Sequence, residues 1–416
     1  MNLRTVACTT ALLMATNGPS SLQVATALVP RVDHQHRLSP TLAGRILLTV
    51  SSVLSFPLCA GRGLADGEAV KVTVKPDTVY IERSETGQHL NFDFLLENRT
   101  DRELLLTGVE LSAFDDRGRL ARRDFVNRFS RVSLELRPGR ALRPKQAALV
   151  FNPFHTFAGS VPLTKLRYEF AFGTEDGKLR YKSLAEVVPV LYETKTALVL
   201  PVKGRVLVWD GHDYNSHHRR FDYTLPVFQR RGLTANFQRY GYDFVVVNEQ
   251  GIIYRGRPKD SDDWYLRKLD DNDLYFAFGE RVYAAGSGHV AGTHDGEPDD
   301  GRVNQAELAK TEMATGGNYV VIDHLNGEYS WFGHLKKGSV KVKPGQIVKQ
   351  GEVIGKIGAS GDSLFPHLHY ELRTGPGMKG VEGLPSYFSG FRRAPGSKTG
   401  AVKRGQVDTG DVVENP

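Results

Sequence analysis

The residues best suited to chemistry are two histidines, His367 and His369, in the apolar segment 366–372 (PHLHYEL). On a β-strand, residues two apart face the same side of the sheet, so both imidazoles are expected to project into one site. A third histidine, His334, ends another apolar run at 329–335 (YSWFGHL). Neutral imidazole is a preferred zinc ligand and an effective general base. The pattern therefore indicates a metal or acid–base site rather than three histidines packed in a core.

A catalytic zinc usually has three protein ligands and one open position for water. The other ligands of such a site are expected among histidines and acidic residues upstream. His217 and His218 stand together in the segment 215–223 (NSHHRRFDY), which also contains Asp222. Asp243 lies in the segment 238–246 (QRYGYDFVV). Either aspartate is a plausible carboxylate ligand.

The histidine-rich part of the chain is predicted to form an all-β domain over residues 196–390. Nine of the 13 histidines lie between His212 and His369. Glycines every few residues at 340–358 indicate tight turns between short strands of a barrel-like sheet. The best helix candidate is the short segment 303–313. Runs rich in valine and aromatic residues predict strands at 205–209, 242–248, 282–285, 319–323 and 329–332.

Residues 66–195 are predicted to form a separate accessory domain, an immunoglobulin-like β-sandwich. Turn-forming residues separate its apolar runs at the spacing of antiparallel strands. No cluster of catalytic residue types stands out, so a structural or docking role is expected. The tail 391–416 is rich in Gly, Arg, Lys and Ser, which predicts disorder. The alternating runs of the sandwich include 70–74, 90–96, 104–111, 132–136 and 166–172.

Residues 1–65 are predicted to be an export signal. Arg45 precedes an apolar core of about 13 residues, too short to span a bilayer, and small residues up to Ala65 offer a cleavage site. The protein is therefore expected to be periplasmic or extracellular, with a lipid anchor at Cys59 as the weaker alternative. Cleavage after Ala65 would remove Cys8 and Cys59, the two cysteines of the chain. Disulfides and cysteine-ligated zinc are then excluded.

Composition narrows the class of protein further. The chain has 416 residues, of which 40% are hydrophobic and 24% charged, and this apolar fraction is enough for packed cores. The longest apolar run is shorter than the ~20 residues of a membrane-spanning helix, so a polytopic membrane protein is excluded. The net charge of +7 is spread along the chain. Such a mild excess suits an anionic polymer such as cell wall and does not indicate nucleic-acid binding.

Three segments together resemble the lysostaphin/LytM-type zinc endopeptidases, which cut peptidoglycan peptides. The resemblance covers roughly residues 196–390 and implies a largely antiparallel β groove. It implies that His369 binds zinc and that His367 and His334 form a catalytic pair. These would position a zinc-bound water and stabilise or protonate the tetrahedral intermediate. The segments are GNYVVIDHLNGEYSWFGHL (317–335), the glycine-spaced KPGQIVKQGEVIGKIGASG (343–361) and PHLHYEL (366–372).

The first metal-binding motif departs from that family, whose members usually present H-x-x-x-D close to a V-x-A-x-x-x-G-x-V strand. His218 and Asp222 fit the H-x-x-x-D spacing literally, but Asp222 lies 60 residues before Val282, where that strand begins here. Asp243 fits the local context better because it opens an apolar strand. However, residue 239, where the histidine of the motif should stand, is Arg.

The preferred hypothesis is therefore a split motif. Asp243 supplies the carboxylate, and a looped-in His217 or His218 supplies the imidazole. Asp222 remains the alternative carboxylate.

The resemblance favours an exported zinc metalloendopeptidase that hydrolyses peptidoglycan cross-links or stem peptides. The alternative is a catalytically inactive relative that binds cell wall or activates another hydrolase, which the irregular first motif leaves open. The glycine-spaced hairpins also suggest a biotinyl- or lipoyl-like carrier, but no acceptor lysine is evident at a hairpin tip. Two insertions, 249–281 and 289–315, are expected to help choose the peptide bond.

Overall fold

Nearly every regular element of the described chain is a β-strand, which confirms the all-β prediction. The structure is a computed structural model, and it describes residues 65–66, 69–85, 87–127, 141–255, 271–394 and 400–416. The predicted export segment therefore lies outside the described residues, apart from Ala65. The predicted strand at 132–136 also lies outside them. No helix in the described part of the chain is long and apolar enough to cross a membrane.

The described residues between 65 and 191 form three sheets. One sheet follows the order β1-β12-β11-β6-β7, with β8 beside β6; the others are β2-β5-β9 and β10-β4-β3-β13. The strands are β1 (Ala65–Asp66), β2 (Val70–Lys75), β3 (Tyr80–Ser84), β4 (Gly87–Leu90), β5 (Asp93–Asn98), β6 (Leu104–Phe114), β7 (Leu120–Asn127), β8 (Ala141–Leu142), β9 (Ala147–Phe151), β10 (Thr156–Phe157), β11 (Lys165–Gly173), β12 (Arg180–Val187) and β13 (Val190–Leu191).

The three sheets share one apolar core. It contains Phe94 from β5, Leu111 from β6 and Phe170 from β11, none of which is exposed. The rings of Phe94 and Phe170 meet edge to face, with centroids 4.8 Å apart. Burying a side chain of this size stabilises the fold by about 1.5–3 kcal/mol. The alternating pattern of the sequence therefore corresponds to inward-facing residues, while the immunoglobulin-like topology stays a prediction.

The described strands after residue 197 form one large sheet and one small two-stranded sheet. The large sheet has 12 strands in the order β14-β25-β27-β15-β16-β23-β20-β19-β18-β21, with β24 beside β23 and β26 beside β25; β17 pairs with β22. The strands are β14 (Leu198–Val199), β15 (Gly204–Asp210), β16 (Tyr242–Val246), β17 (Arg281–Tyr283), β18 (Gly288–His294), β19 (Asn318–Asp323), β20 (Tyr329–Leu335), β21 (Ile347–Val348), β22 (Val353–Lys356), β23 (Leu368–Arg373), β24 (Gly383–Leu384), β25 (Phe388–Arg393), β26 (Gly400–Gly405) and β27 (Val412–Asn415).

Helices are short in the described residues. The predicted helix at 303–313 is limited to α2 (Gln305–Leu308), and α1 (Pro226–Gln229) is equally short. Two 3₁₀ turns, Asn272–Leu274 and Glu312–Gly316, complete the helical elements. The site must therefore be positioned by strands and their connections.

The prediction that residues 391–416 are disordered is wrong for the described part of that tail. Strand β27 pairs with β15, and Val413 lies opposite Val206. Both valines are buried, as is Val407. A few valines suffice here because they pack on a sheet that already exists. Average composition cannot reveal this, since it ignores where the few apolar residues fall.

A third apolar cluster lies beneath the connection between β15 and β16. This connection, residues 211–241, contributes Tyr223, Leu233 and Phe237 to the cluster. Phe151 of β9 and Trp331 of β20 belong to the same cluster. All described residues fall within a single compact unit, Ala60–Pro416. The β15–β16 connection therefore packs against strands from both parts of the chain.

Candidate active site

Three neighbouring strands place the central part of the site in one row across the large sheet. In the register of β16 and β23, Asp243 lies opposite His369. In the register of β20 and β23, Gly333 lies opposite His369. Asp243, His369 and the end of β20 therefore meet because of strand pairing alone. The period of two along β23 then puts Glu371 and Arg373 on the same face as His369.

His334 is directed into the site by an irregularity at the end of β20. The register of β19 against β20 shifts between Asn318 and Val320, as in a β-bulge. His334 has φ = 58°, a left-handed conformation that costs a non-glycine residue about 1–3 kcal/mol. Its ring lies 4.9 Å from that of His367 and 5.7 Å from that of His369, measured between centroids. The His334 ring therefore lies next to those of both His367 and His369.

Asp243 is the meeting point of three imidazoles. Its Oδ1 atom lies 3.5 Å from Nε2 of His218 and 3.0 Å from Nδ1 of His369. The same oxygen lies 3.3 Å from Nε2 of His367. All four side chains are buried. The β15–β16 connection therefore brings His218 to the carboxylate of Asp243 across 25 residues of sequence.

The donor atoms of His218, Asp243 and His369 are suited to a zinc ion. They all lie within 4.8 Å of one another. Ligand atoms at about 2.0–2.1 Å from a tetrahedral zinc are about 3.4 Å apart, close to the distances from Asp243 to the two histidines. Two imidazole nitrogens and one carboxylate oxygen are also a usual donor set for a catalytic zinc. The residues thus fit the metal that the sequence predicts.

Each candidate histidine ligand has a carboxylate behind it. His369 donates from Nε2 to Oε1 of Glu371 at 2.6 Å, which leaves Nδ1 for a metal. Glu371 is in turn paired with Arg373. On the other side, Nδ1 of His218 lies 3.0 Å from Oδ2 of Asp210, and its Nε2 faces Oδ1 of Asp243. Carboxylates in this position fix the orientation of a ligand histidine and raise its basicity.

The arginine behind Glu371 lies between two aromatic rings. The Arg373 guanidinium is 4.5 Å from the ring centroid of Trp331 and 4.8 Å from that of Phe237. A Cβ atom at Gly333 would come within 2.2 Å of the Trp331 ring, so only glycine fits at that position. This stack holds Arg373, and through it Glu371 and His369, in one orientation.

Hydrogen bonds fix the tautomers of the two histidines that are not candidate ligands. His334 donates from Nδ1 to the Ser360 carbonyl at 2.8 Å. His367 donates from Nδ1 to the Phe365 carbonyl at 2.7 Å. A carbonyl can only accept, so in the neutral rings the proton is on Nδ1 and Nε2 carries a lone pair. Both rings can therefore accept a proton at Nε2.

The charges of the side chains favour an ionised Asp243. Burial by itself raises the pKa of Asp243, but the imidazoles of His367 and His218 outweigh it and lower that pKa well below its usual range. Burial, with His367 and His369 nearby, lowers the pKa of His334 well below 6.5. For His369, hydrogen bonds to Asp243 and Glu371 outweigh burial and raise the pKa to about 9. A metal at Nδ1 of His369 must therefore displace a proton.

His217 and Asp222, the other candidates for the metal site, lie differently. The His217 side chain is 67% exposed, and its Nδ1 lies 2.9 Å from Asp210. Asp222 accepts hydrogen bonds from Thr224 at its own turn. The connection is not a strand at His217 and His218, so the alternation of a strand does not set the directions of these two side chains. Among the described residues, the cluster at Asp243 includes neither His217 nor Asp222.

Sequence reasoning missed the carboxylates that support the histidines. Glu371 could have been found, because it follows His369 at the period of a strand. Asp210 lies at the end of a predicted strand, but nothing in the sequence links it to His218. Arg239 stands where the motif predicts a histidine; its side chain lies outside the cluster, and its Nη1 donates to Oδ2 of Asp93 at 2.6 Å.

Comparison with known proteins places part of the chain in a family. Residues 272–381 match Peptidase family M23. A segment of 71 residues is 39% identical to the cell division protein DipM of Caulobacter vibrioides, covering 17% of this chain and 11% of that protein. A segment of 56 residues is 50% identical to the peptidoglycan DD-endopeptidase ShyA of Vibrio cholerae, covering 14% and 13%. A third, of 64 residues, is 40% identical to the L-Ala–D-Glu endopeptidase of Bacillus subtilis, covering 14% and 20%.

The chain thus spans at most a fifth of the length of these relatives. Among solved structures, the catalytic domain of the prophage-encoded M23 protein EnpA from Enterococcus faecalis is 21% identical, with 32% of this chain and 94% of that chain covered and a TM-score of 0.20. His334, His367 and His369 lie inside the segment that matches the family, whereas His218 and Asp243 precede it. Residues 272–381 thus carry a segment that matches Peptidase family M23, which confirms the resemblance to the LytM/lysostaphin-type peptidases over that part of the chain.

Proposed function

We propose that this protein is an exported zinc metalloendopeptidase that hydrolyses peptide bonds of peptidoglycan, in cross-links or stem peptides. The observation that carries the proposal is the convergence of His218, Asp243 and His369, with His334 and His367 beside them. The likeness to peptidoglycan endopeptidases supports the substrate class. The export signal predicted from the sequence supports a periplasmic or extracellular location.

In this proposal, Nε2 of His218, a carboxylate oxygen of Asp243 and Nδ1 of His369 hold the zinc ion. Zinc lowers the pKa of a water bound to it from ~15.7 toward ~7 and polarises a carbonyl oxygen. Glu371 and Asp210 keep the two ligand imidazoles in the orientation that this requires. The low pKa of Asp243 keeps its carboxylate ionised at neutral pH.

His334 and His367 act on the substrate side of the site. Their Nε2 atoms can hold the attacking water by accepting a hydrogen bond, because their Nδ1 protons are donated to carbonyls of the chain. His367, whose Nε2 lies 3.3 Å from Asp243, is the better placed of the two to take a proton from that water. A positioned proton-transfer group of this kind contributes about 10²–10⁴-fold to the rate.

The second candidate function is a catalytically inactive wall-binding or hydrolase-activating module. The observation that favours it is Arg239, which stands where the family's ligand histidine is expected. Against it, His218 supplies an imidazole to Asp243 from elsewhere in the sequence. A protein that had lost catalysis would have no need of that replacement.

Two measurements on the chain from residue 66 onward test the proposal. Metal analysis by mass spectrometry should find about one zinc per chain after reconstitution. Purified peptidoglycan sacculi should then release soluble muropeptides, whose masses identify the bond cut, and a chelator should stop their release. Zinc without any cleavage would favour the inactive module, and a lack of zinc would exclude the metallopeptidase.

A further inference from the structure

A buried carboxylate from the N-terminal part of the chain lies between two buried arginines next to the candidate active site. Asp93, the first residue of β5, is 0% exposed. Its Oδ1 accepts from Nη1 of Arg219 at 2.6 Å, and its Oδ2 accepts from Nη1 of Arg239 at 2.6 Å. The two guanidinium groups are also almost fully buried. Charged groups that are buried away from water depend for their stabilisation on the ion pairs and hydrogen bonds that they make with other protein groups.

The two arginines are attached to the two halves of the split motif. Arg219 directly follows His218, and Arg239 precedes Asp243 by four residues. The carboxylate of Asp93 therefore links two points of the β15–β16 connection: one next to His218 and one just before β16 begins. On its far side Arg239 also contacts Glu382, with Nε 3.3 Å from Oε2.

Backbone contacts around Asp93 reinforce this tie. Arg219 donates from Nη2 to the Phe92 carbonyl at 2.7 Å. Asn91 donates to the Arg239 carbonyl at 3.2 Å. Within the connection, Asn236 donates to the His218 carbonyl at 3.1 Å. Residues 91–93 therefore hold both ends of the connection, and Asn236 links its two arms.

Strand pairing cannot hold His218 in place. In the described chain, the connection contains no strand, and α1 is its one α-helix. Asp243 and His369, by contrast, lie opposite each other in paired strands. Any loosening at Asp93 should therefore displace His218 before it displaces the other two candidate ligands.

We propose that Asp93 is a positioning residue for the metal site: through Arg219 it holds His218 at Asp243 and so sets the affinity for zinc. The N-terminal strands are then part of the metal centre, beyond any structural or docking role. This inference rests on the proposed zinc site. It gives the sandwich a function that neither the sequence nor the family match assigns to it.

The test is Asp93→Asn in the full-length protein; asparagine keeps the size of the side chain and removes its charge. Zinc affinity, measured by competition with a chromophoric chelator, should fall about 10–100-fold, as for other groups that orient a metal ligand. Hydrogen exchange should accelerate in residues 211–225 and stay unchanged in β20 and β23. Glu97→Gln is the matched control, because Glu97 lies on the same strand and pairs with Lys71 at the surface.

A double-mutant cycle separates positioning from general stability. If Asp93 acts through His218, then Asp93→Asn should cause less further loss of zinc affinity in an Asp210→Asn background, where the orientation of His218 is already impaired, than in wild type. Equal losses in both backgrounds would overturn the proposal, as would an unchanged affinity in the single variant. If wild type binds no zinc at all, the proposed function itself fails, whatever hydrogen exchange shows.

A milder variant covers the case in which Asp93→Asn does not fold. Arg219→Lys keeps the positive charge but cannot reach both Asp93 and the Phe92 carbonyl with a planar fork. Zinc affinity should fall by about threefold to tenfold, with a cooperative thermal transition retained. Unchanged affinity in a folded Arg219→Lys protein would contradict the proposal.

Discussion

Two regions supply the candidate metal ligands, and they are built in opposite ways. Strands β16 and β23 carry Asp243 and His369, whose positions follow from the register of a large sheet. The β15–β16 connection carries His218 on a segment without strands, held by side-chain contacts to residues far away in sequence. The first arrangement is rigid because every backbone pair contributes to it. The second depends on a few buried polar groups.

This difference explains where the chain can depart from its family. A histidine on a paired strand cannot be moved without changing the sheet; His334 and His369 lie on such strands, and His367 directly precedes β23. A ligand on a connection can be replaced by one from another position, provided that something holds it there. In this connection, Arg239 contacts Asp93 and His218 contacts Asp243.

The largest effect is expected from removing a ligand in either region. His369→Ala and His218→Ala should each reduce bound zinc from about one to below about 0.1 per chain, because two remaining ligands hold the ion weakly. Metal analysis after dialysis measures this. Asp222→Ala is the control and should keep its zinc. Loss of zinc in Asp222→Ala would restore the contiguous motif, and loss in His217→Ala but not in His218→Ala would make His217 the ligand.

The next largest effect separates catalysis from metal binding within the strand region. His334→Ala should keep its zinc and lower the rate of muropeptide release by about 10²–10⁴-fold, because the group that positions or protonates the reacting atoms is gone. Alanine and histidine are similarly strained in a left-handed conformation, so the substitution adds little backbone strain and the fold should persist. Parallel loss of zinc and activity would instead show that His334 supports the metal.

The supporting carboxylates allow the two regions to be compared directly. Glu371→Gln in the strand region and Asp210→Asn in the connection should each weaken zinc binding about 10–100-fold. The melting temperature should fall more in Glu371→Gln than in Asp210→Asn, because Glu371→Gln leaves the buried Arg373 without an anionic partner. If Asp210→Asn leaves the zinc affinity unchanged, His218 is oriented by other contacts.

The smallest effect is a pH dependence of the contact between the N-terminal strands and the connection. His155 stacks on Tyr214 with ring centroids 4.1 Å apart. Burial, aided by Arg219, lowers the pKa of His155 from 6.5 to about 4. The unfolded chain therefore binds the proton more readily, and the stability due to neutral His155 is present above pH 6.5 and lost as the pH falls toward 4.

The variant His155→Phe keeps an aromatic ring on Tyr214 but cannot titrate. Its melting temperature should fall less than that of wild type between pH 6.5 and pH 4. Hydrogen exchange in residues 211–225 should follow the same trend. Identical pH profiles would show that acid destabilises the protein through other groups.

Much of the strand region was predictable from the sequence. Apolar runs identify β20 and β23, and the period of two predicts His367 and His369 on one face. The order of the strands in the sheet was not predictable, because pairing is set by contacts between segments far apart in sequence. The bulge that directs His334 into the site depends on that pairing.

Composition was a poorer guide at the end of the chain. The tail 391–416 has few apolar residues, yet β27 pairs with β15 and buries Val413. A strand that completes an existing sheet gains backbone hydrogen bonds and needs only a few apolar contacts. The tail is therefore ordered because of the sheet that it joins.

The sequence by itself determined the all-β class, the histidines on strands and the resemblance to a peptidase family, because each of these depends on the spacing of residues that are close together in sequence. It also reduced the first imidazole to His217 or His218 and favoured Asp243 over Asp222. Only the tertiary structure decided that His218 is the one beside Asp243 and that Asp93 contacts Arg219, the residue after it. The reason is physical: a connection without regular structure takes its position from distant partners, and no local pattern records them.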